Sequence, residues 1–138
     1  MASVFTRIIE GALPGRFVWR DDDVVAFLTI APITPGHTLV VPVAEIDHWI
    51  DLPAELLSRV AEVAQIVGRA IDRAFSPTKV GMMIAGLEVP HTHLHVLPIH
   101  TEADLSFAKA RPDTPAEELD AAQAAIRAAL EELGYEPA

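Results

Sequence analysis

The segment "HTHLHVLPIH", residues 91–100, carries four of the chain's six histidines, and three of them, His91, His93 and His95, stand at alternate positions. On an extended strand alternate side chains share a face, so this spacing sets three imidazoles together and puts Thr92, Leu94 and Val96 on the opposite side. The apolar side is the natural core face. Three imidazoles buried together would need a partner for every ring nitrogen, so the histidine face is expected to open onto a cleft or a ligand.

Three readings of such a face compete. A single satisfied core histidine is ordinary, but three in alternation are poorly explained that way, because histidine is seldom fully buried. Two histidines two apart on a strand can share a zinc ion, and Glu88, His37 and His100 are available to complete its shell. A neutral imidazole can also attack phosphorus to give a covalent intermediate that water or another acceptor resolves. Flanking imidazoles would then bond the phosphate oxygens and share the proton given to the leaving group.

The elements that must position these side chains can be read from the rest of the chain. Phe17 to Arg20, Val24 to Ile30 and Thr38 to Val43 are β-rich runs, broken by Asp21-Asp22-Asp23 and by "APITPGH", and are expected to form an antiparallel meander. From Pro53 to Phe75, Leu56, Val60, Val63, Val67, Ala70 and Ala74 recur at helical spacing and predict an amphipathic helix. "TKVGMMIAG" and "HTHLHVLPIH" supply two more strands around a loop from Gly86 to Pro90. Thr114, Pro115 and Glu117 read as N-cap, first helical residue and capping-box partner, with Gly134 as the stop. The stripe of this last helix, Leu119, Ala122, Ile126, Leu130 and Leu133, must pack on the sheet or on a partner. Thr101 to Asp113 is expected to be flexible, and His48 and Trp49 to sit on a short helical turn.

Size and composition limit the function. The 138 residues, 51% hydrophobic and 22% charged, suffice for one core and not for two ordinary domains. No cysteine is present, which excludes disulfides, thiolate ligands and a thiol nucleophile. The formal charge of -10, with Arg and Lys scattered singly, argues against nucleic acid and anionic membranes as partners. "MASVFTRIIEG" lacks the pattern of a secretory signal, and the expected compartment is the cytoplasm.

"HTHLHVL", together with "PGHTLVVP" and the run from "VFTRIIEG" onward, resembles the histidine-triad (HIT) superfamily of nucleotide hydrolases and transferases, in particular its bacterial nucleotide-binding Hint-like branch. The likeness covers roughly residues 4–99. It implies an α+β, HIT-like fold, with a five-stranded antiparallel sheet, a long central helix and an additional C-terminal helix. Residues 1–138 would form one domain, with the core at about 4–100 and the last helix at about 114–134. The resemblance makes His93 the nucleophile, oriented through the backbone at His91, with His95 and His37 completing the phosphate-binding set. It places Val4, Phe5, Ile8, Phe27 and Thr29 in the base and sugar pocket.

The sequence departs from that family at two places. Gly86-Leu87-Glu88 stands where many members carry polar phosphate contacts, so Glu88 would face the leaving group or turn out to solvent. Thr29 stands where many carry a ribose-binding aspartate, and it can make one such bond where a carboxylate makes two. The expectation is a homodimeric hydrolase or transferase that needs no metal or other cofactor and acts on a nucleotide phosphoramidate or phosphoanhydride through a covalent histidine. A nucleotide-binding or regulatory module with little catalysis, and a histidine-ligated metal protein, are the alternatives.

Overall fold

The computed structural model describes residues 1–138. Its elements run in the order α1 (Val4–Ile9), β1 (Phe17–Arg20), β2 (Val24–Leu28), β3 (Thr38–Pro42), α2 (Ala54–Phe75), β4 (Lys79–Met83), β5 (Leu94–Ile99) and α3 (Ala116–Glu132). The five strands form one antiparallel sheet, ordered β1-β2-β3-β5-β4.

Period-two alternation divides the sheet between two apolar clusters. Val18, Val24, Ala26, Leu28, Val40, Leu94 and Val96 face α2 and α3, and Val25, Phe27, Leu39 and Val41 meet Phe5 of α1 on the other side. Both faces of β2 and β3 are therefore covered, and every residue of these two strands is buried. Residues directly opposed across an antiparallel pair share a face, so Phe17, Phe27, Leu39 and His95 form one row across four strands on the α1 side.

α2 buries Val60, Val63, Ala64, Ile66, Val67, Ala70 and Ile71. Each fully buried Val or Ile is worth about 1.5–3 kcal/mol, so this helix dominates the core. At its C-terminal end Phe75 fills the space beside Gly36, whose φ of +97° and contact with that ring leave no room for a side chain. This glycine precedes His37 and so sets where that imidazole enters the sheet.

Several expectations need correction. β2 stops at Leu28 and β3 at Pro42, each short of the forecast end. α3 begins at Ala116 with Pro115 in the cap position and no side-chain cap; the Thr114 hydroxyl donates instead to the Arg111 carbonyl at 2.7 Å, so no capping box forms there. A capping box does form at Thr101 and Asp104. The segment 101–113 is built of two single 3-10 turns and is tied to the body by the Arg111 N–H on the Pro32 carbonyl at 3.0 Å, so it is ordered where flexibility was expected. The α3 stripe packs on α2 and β1 within the chain, and Gly134, at φ +92°, ends the helix as anticipated.

Candidate active site

β5 starts at Leu94 and not at His91, because the backbone just before it is engaged elsewhere. The His91 N–H closes a three-residue turn onto the Val89 carbonyl at 2.8 Å with Pro90 at its centre. Thr92 fastens to the Ile46 carbonyl through its N–H at 2.7 Å and its hydroxyl at 2.8 Å. The three imidazoles nevertheless cluster. The face is far less open than the alternation suggested: His91, His93 and His95 are 0%, 6% and 8% exposed, and His37 beside them is 3% exposed.

Their burial is supported by partners that fix each tautomer. The Ile33 N–H donates to His37 Nδ1 at 3.0 Å, so the His37 proton lies on Nε2 and is donated to His95 Nδ1 at 2.9 Å. His95 consequently carries its own proton on Nε2. His93 Nδ1–H donates to the His91 carbonyl at 2.7 Å, which leaves a lone pair on His93 Nε2. His91 Nε2–H donates to the Pro42 carbonyl at 2.7 Å, and its Nδ1 accepts from the Ser3 hydroxyl at 2.7 Å.

No side-chain nitrogen or oxygen is both buried and unpartnered. Within the cluster the two ring nitrogens without hydrogen bonds, Nε2 of His93 and Nε2 of His95, therefore reach solvent. They stand on rings whose centroids are 4.9 Å apart. One offers a lone pair and the other an N–H, the complementary pair needed to attack a phosphorus centre and hold one of its oxygens.

Burial keeps the cluster neutral. Desolvation pushes His37 down to about 3 and His95 down to about 4, with neighbouring imidazoles adding to the effect in both. Desolvation also lowers His91 and His93, partly offset by their carbonyl partners. A neutral His93 is the nucleophilic form. A neutral His95 is a hydrogen-bond donor through Nε2–H.

A cavity of about 600 Å³ lies along the α1 side of the sheet, lined by Val4, Phe5, Ile8, Leu13, Phe27, Thr29 and Leu39 among others. All five residues expected in the base and sugar pocket are brought together there. Phe5 joins this cavity to the histidines, its ring edge-on to His93 at 4.8 Å and to Phe27 at 5.5 Å. The Thr29 hydroxyl oxygen accepts from the Ala31 N–H at 3.2 Å, leaving one proton to donate.

Glu88 is exposed, makes no ion pair and lies outside this cavity; its charge nonetheless raises the His93 value slightly. His100 is exposed and accepts from Thr78, away from the cluster, and His48 precedes a 3-10 turn at Trp49–Asp51. No three His, Asp or Glu side chains are arranged to hold a metal ion, since the inward-facing ring nitrogens already have partners.

Sequence reasoning missed Ser3, the Pro42 carbonyl, Phe107, which stands edge-on to His95 at 4.9 Å, and the ion pair of Arg16 and Asp120 at the cavity rim. Only Ser3 had a local signal, as a hydroxyl residue just ahead of an apolar turn.

A HIT-domain family model matches residues 10–102. A HIT-like protein of Borreliella burgdorferi is 38% identical over 102 residues, covering 69% of this chain and 73% of that one. Crystal structures of a zinc-bound histidine triad family protein from Mycobacterium smegmatis (30% identity, 96% of each chain) and of a hypothetical histidine triad nucleotide-binding protein from Sulfolobus tokodaii (28% identity, 94% and 92%) both superpose with a TM-score of 0.82. A more distant relative, an adenylylsulfatase of Arabidopsis thaliana, is 25% identical over 100 residues, covering 69% of this chain and 51% of that one. With the family model matched across most of its length and its strands in the arrangement of those structures, the chain belongs to the HIT family.

Proposed function

We propose that the protein is a nucleotide phosphoramidase or phosphoanhydride hydrolase, or the matching nucleotidyl transferase, working through a covalent bond to His93. The observation that carries this reading is the free Nε2 lone pair of a neutral His93 beside the Nε2–H of His95, next to an apolar cavity sized for a nucleoside. The description of the Sulfolobus tokodaii protein as a hypothetical nucleotide-binding one and that of the Arabidopsis thaliana relative as an adenylylsulfatase support this reading.

In this mechanism His93 Nε2 bonds to phosphorus while the bond from phosphorus to the leaving nitrogen or oxygen breaks. Nδ1–H stays on the ring and bonds the His91 carbonyl more strongly as the imidazole becomes cationic. His95 Nε2–H holds a phosphoryl oxygen, and a leaving amine departs with the proton its nitrogen took from solvent. Water then attacks phosphorus, the bond to Nε2 breaks, and the water's proton returns to solvent. His37 keeps His95 in the donor tautomer.

The homodimer belongs to the same proposal. β4 leaves one sheet edge unpaired, Met82 on it is exposed, and a groove of about 710 Å³ lined by Gly68, Arg69, Val80 and Leu133 runs beside it. Adenosine 5′-phosphoramidate and dinucleoside polyphosphates, tested on wild type and on His93→Ala, check the chemistry. Turnover should fall by at least about a thousandfold in the variant, and turnover that survives removes His93 as nucleophile. Binding without turnover by the wild type would instead favour a nucleotide-binding module.

A further inference from the structure

We propose that Ser3 is a positioning residue of the catalytic centre, and that its hydroxyl couples the pocket-wall helix α1 to the orientation of His93. The inference rests on His93 being the nucleophile, and one arm of its test is independent of that.

Ser3 is the N-cap of α1, where its Oγ accepts the Thr6 N–H at 3.0 Å. Of its two neighbouring acceptors, Thr6 Oγ1 at 3.3 Å and His91 Nδ1 at 2.7 Å, the single hydroxyl proton goes to the much nearer His91, inside a site where Ser3 is 7% and His91 0% exposed. The competing donor is already engaged: the Thr6 hydroxyl, 3.5 Å from the same nitrogen, donates to Glu45 Oε1 at 2.7 Å, and the same oxygen takes the Ser3 backbone N–H at 2.7 Å. Glu45 thus holds the cap in place and keeps Thr6 away from His91.

The connection to catalysis runs through His91. With Nε2–H on the Pro42 carbonyl and Nδ1 under the Ser3 hydroxyl, that ring is held at both nitrogens in one tautomer. The backbone carbonyl of the same residue receives His93 Nδ1–H and so determines which His93 nitrogen is free. The next three residues after the cap include Val4 and Phe5, which line the cavity, and Phe5 packs on both His91 and His93. A nucleoside seated against α1 therefore presses on the element that clamps His91. Binding energy from the non-reacting part of the substrate is thereby used to align the nucleophile.

The decisive variant is Ser3→Gly, because glycine keeps most of the N-cap preference but has no hydroxyl. Ser3→Thr restores the donor. Steady-state kinetics with adenosine 5′-phosphoramidate should show kcat reduced roughly ten- to a hundredfold in Ser3→Gly with KM within about twofold, and near wild type in Ser3→Thr. Phosphoramidate lacking the nucleoside should show a clearly smaller loss in Ser3→Gly, because it does not press on α1. Glu45→Ala frees the Ser3 N–H and releases the Thr6 hydroxyl to compete for Nδ1, and should cost kcat several-fold. Nitrogen-15 NMR of the histidine rings should show His91 as a single Nε2–H tautomer in wild type and mixed in Ser3→Gly. A loss confined to KM, an equal loss with the nucleoside-free substrate, or an unchanged His91 signal in Ser3→Gly overturns the proposal. If the wild type turns over neither substrate, the nucleophile reading fails, and the NMR arm alone decides the hold of Ser3 on His91.

Discussion

Acidification from pH 7 to pH 5 should destabilise the fold through the buried imidazoles before any carboxylate takes part. The folded chain holds His37 at about 3 and His95 at about 4, against an ordinary 6.5 in the unfolded chain. Between those limits the unfolded state binds more protons, so stability is fully present above 6.5 and declines as the pH falls toward the folded values. By pH 5 protonation favours the unfolded chain by about 2 kcal/mol for His37 and somewhat less for His95, whose Nε2 reaches solvent. A total of about 3 kcal/mol is a large share of the 5–15 kcal/mol that such a domain typically has. Asp21, held near 2 by Trp19, two backbone N–H groups and Arg59 against the opposing pull of burial, contributes its stability fully above 3.8 and so stays silent in this window. Urea unfolding followed by the fluorescence of Trp19 and Trp49 at pH 7, 6 and 5 measures the loss. His37→Asn should be weaker than wild type at pH 7 but should lose about 2 kcal/mol less on acidification. Equal stability at pH 7 and 5, or parallel losses in wild type and variant, would refute the assignment of neutral buried imidazoles.

Two substitutions test the pocket and its approach. Thr29→Asp supplies a carboxylate that can take two ribose hydroxyls, and should lower KM for ribonucleotides by about tenfold with no gain for 2′,3′-dideoxy analogues, as parallel kinetics would show. Glu88→Gln removes an exposed negative charge near His93 and should raise kcat/KM for anionic substrates about two- to threefold at low salt, an advantage that fades as ionic strength rises.

The sheet, both long helices and the clustering of His37 with the triad were legible because each rests on a local pattern or on a run of matching residues. Hydrophobic period marked the strands and α2, and the positive-φ glycine at 134 marked the end of α3. What escaped were contacts made across the chain. No local rule tells that the backbone from His91 to Thr92 bonds to Val89 and Ile46 and so delays β5, or that Ser3 lies against a residue 88 positions away. The openness of the histidine face was misjudged for the same reason: its partners are a loop N–H, a strand carbonyl and a helix cap, and none of these can be read from the spacing of the histidines.

The central claim is that one imidazole nitrogen, His93 Nε2, takes the nucleotidyl group through its phosphorus. Rapid quenching during turnover of adenosine 5′-phosphoramidate, at neutral to mildly alkaline pH where phosphohistidine survives, followed by peptide mass spectrometry, tests it directly. A nucleotidyl adduct on His93, absent from His93→Asn, is the predicted result. An adduct on His91, His95 or His37 with His93 unmodified would contradict it.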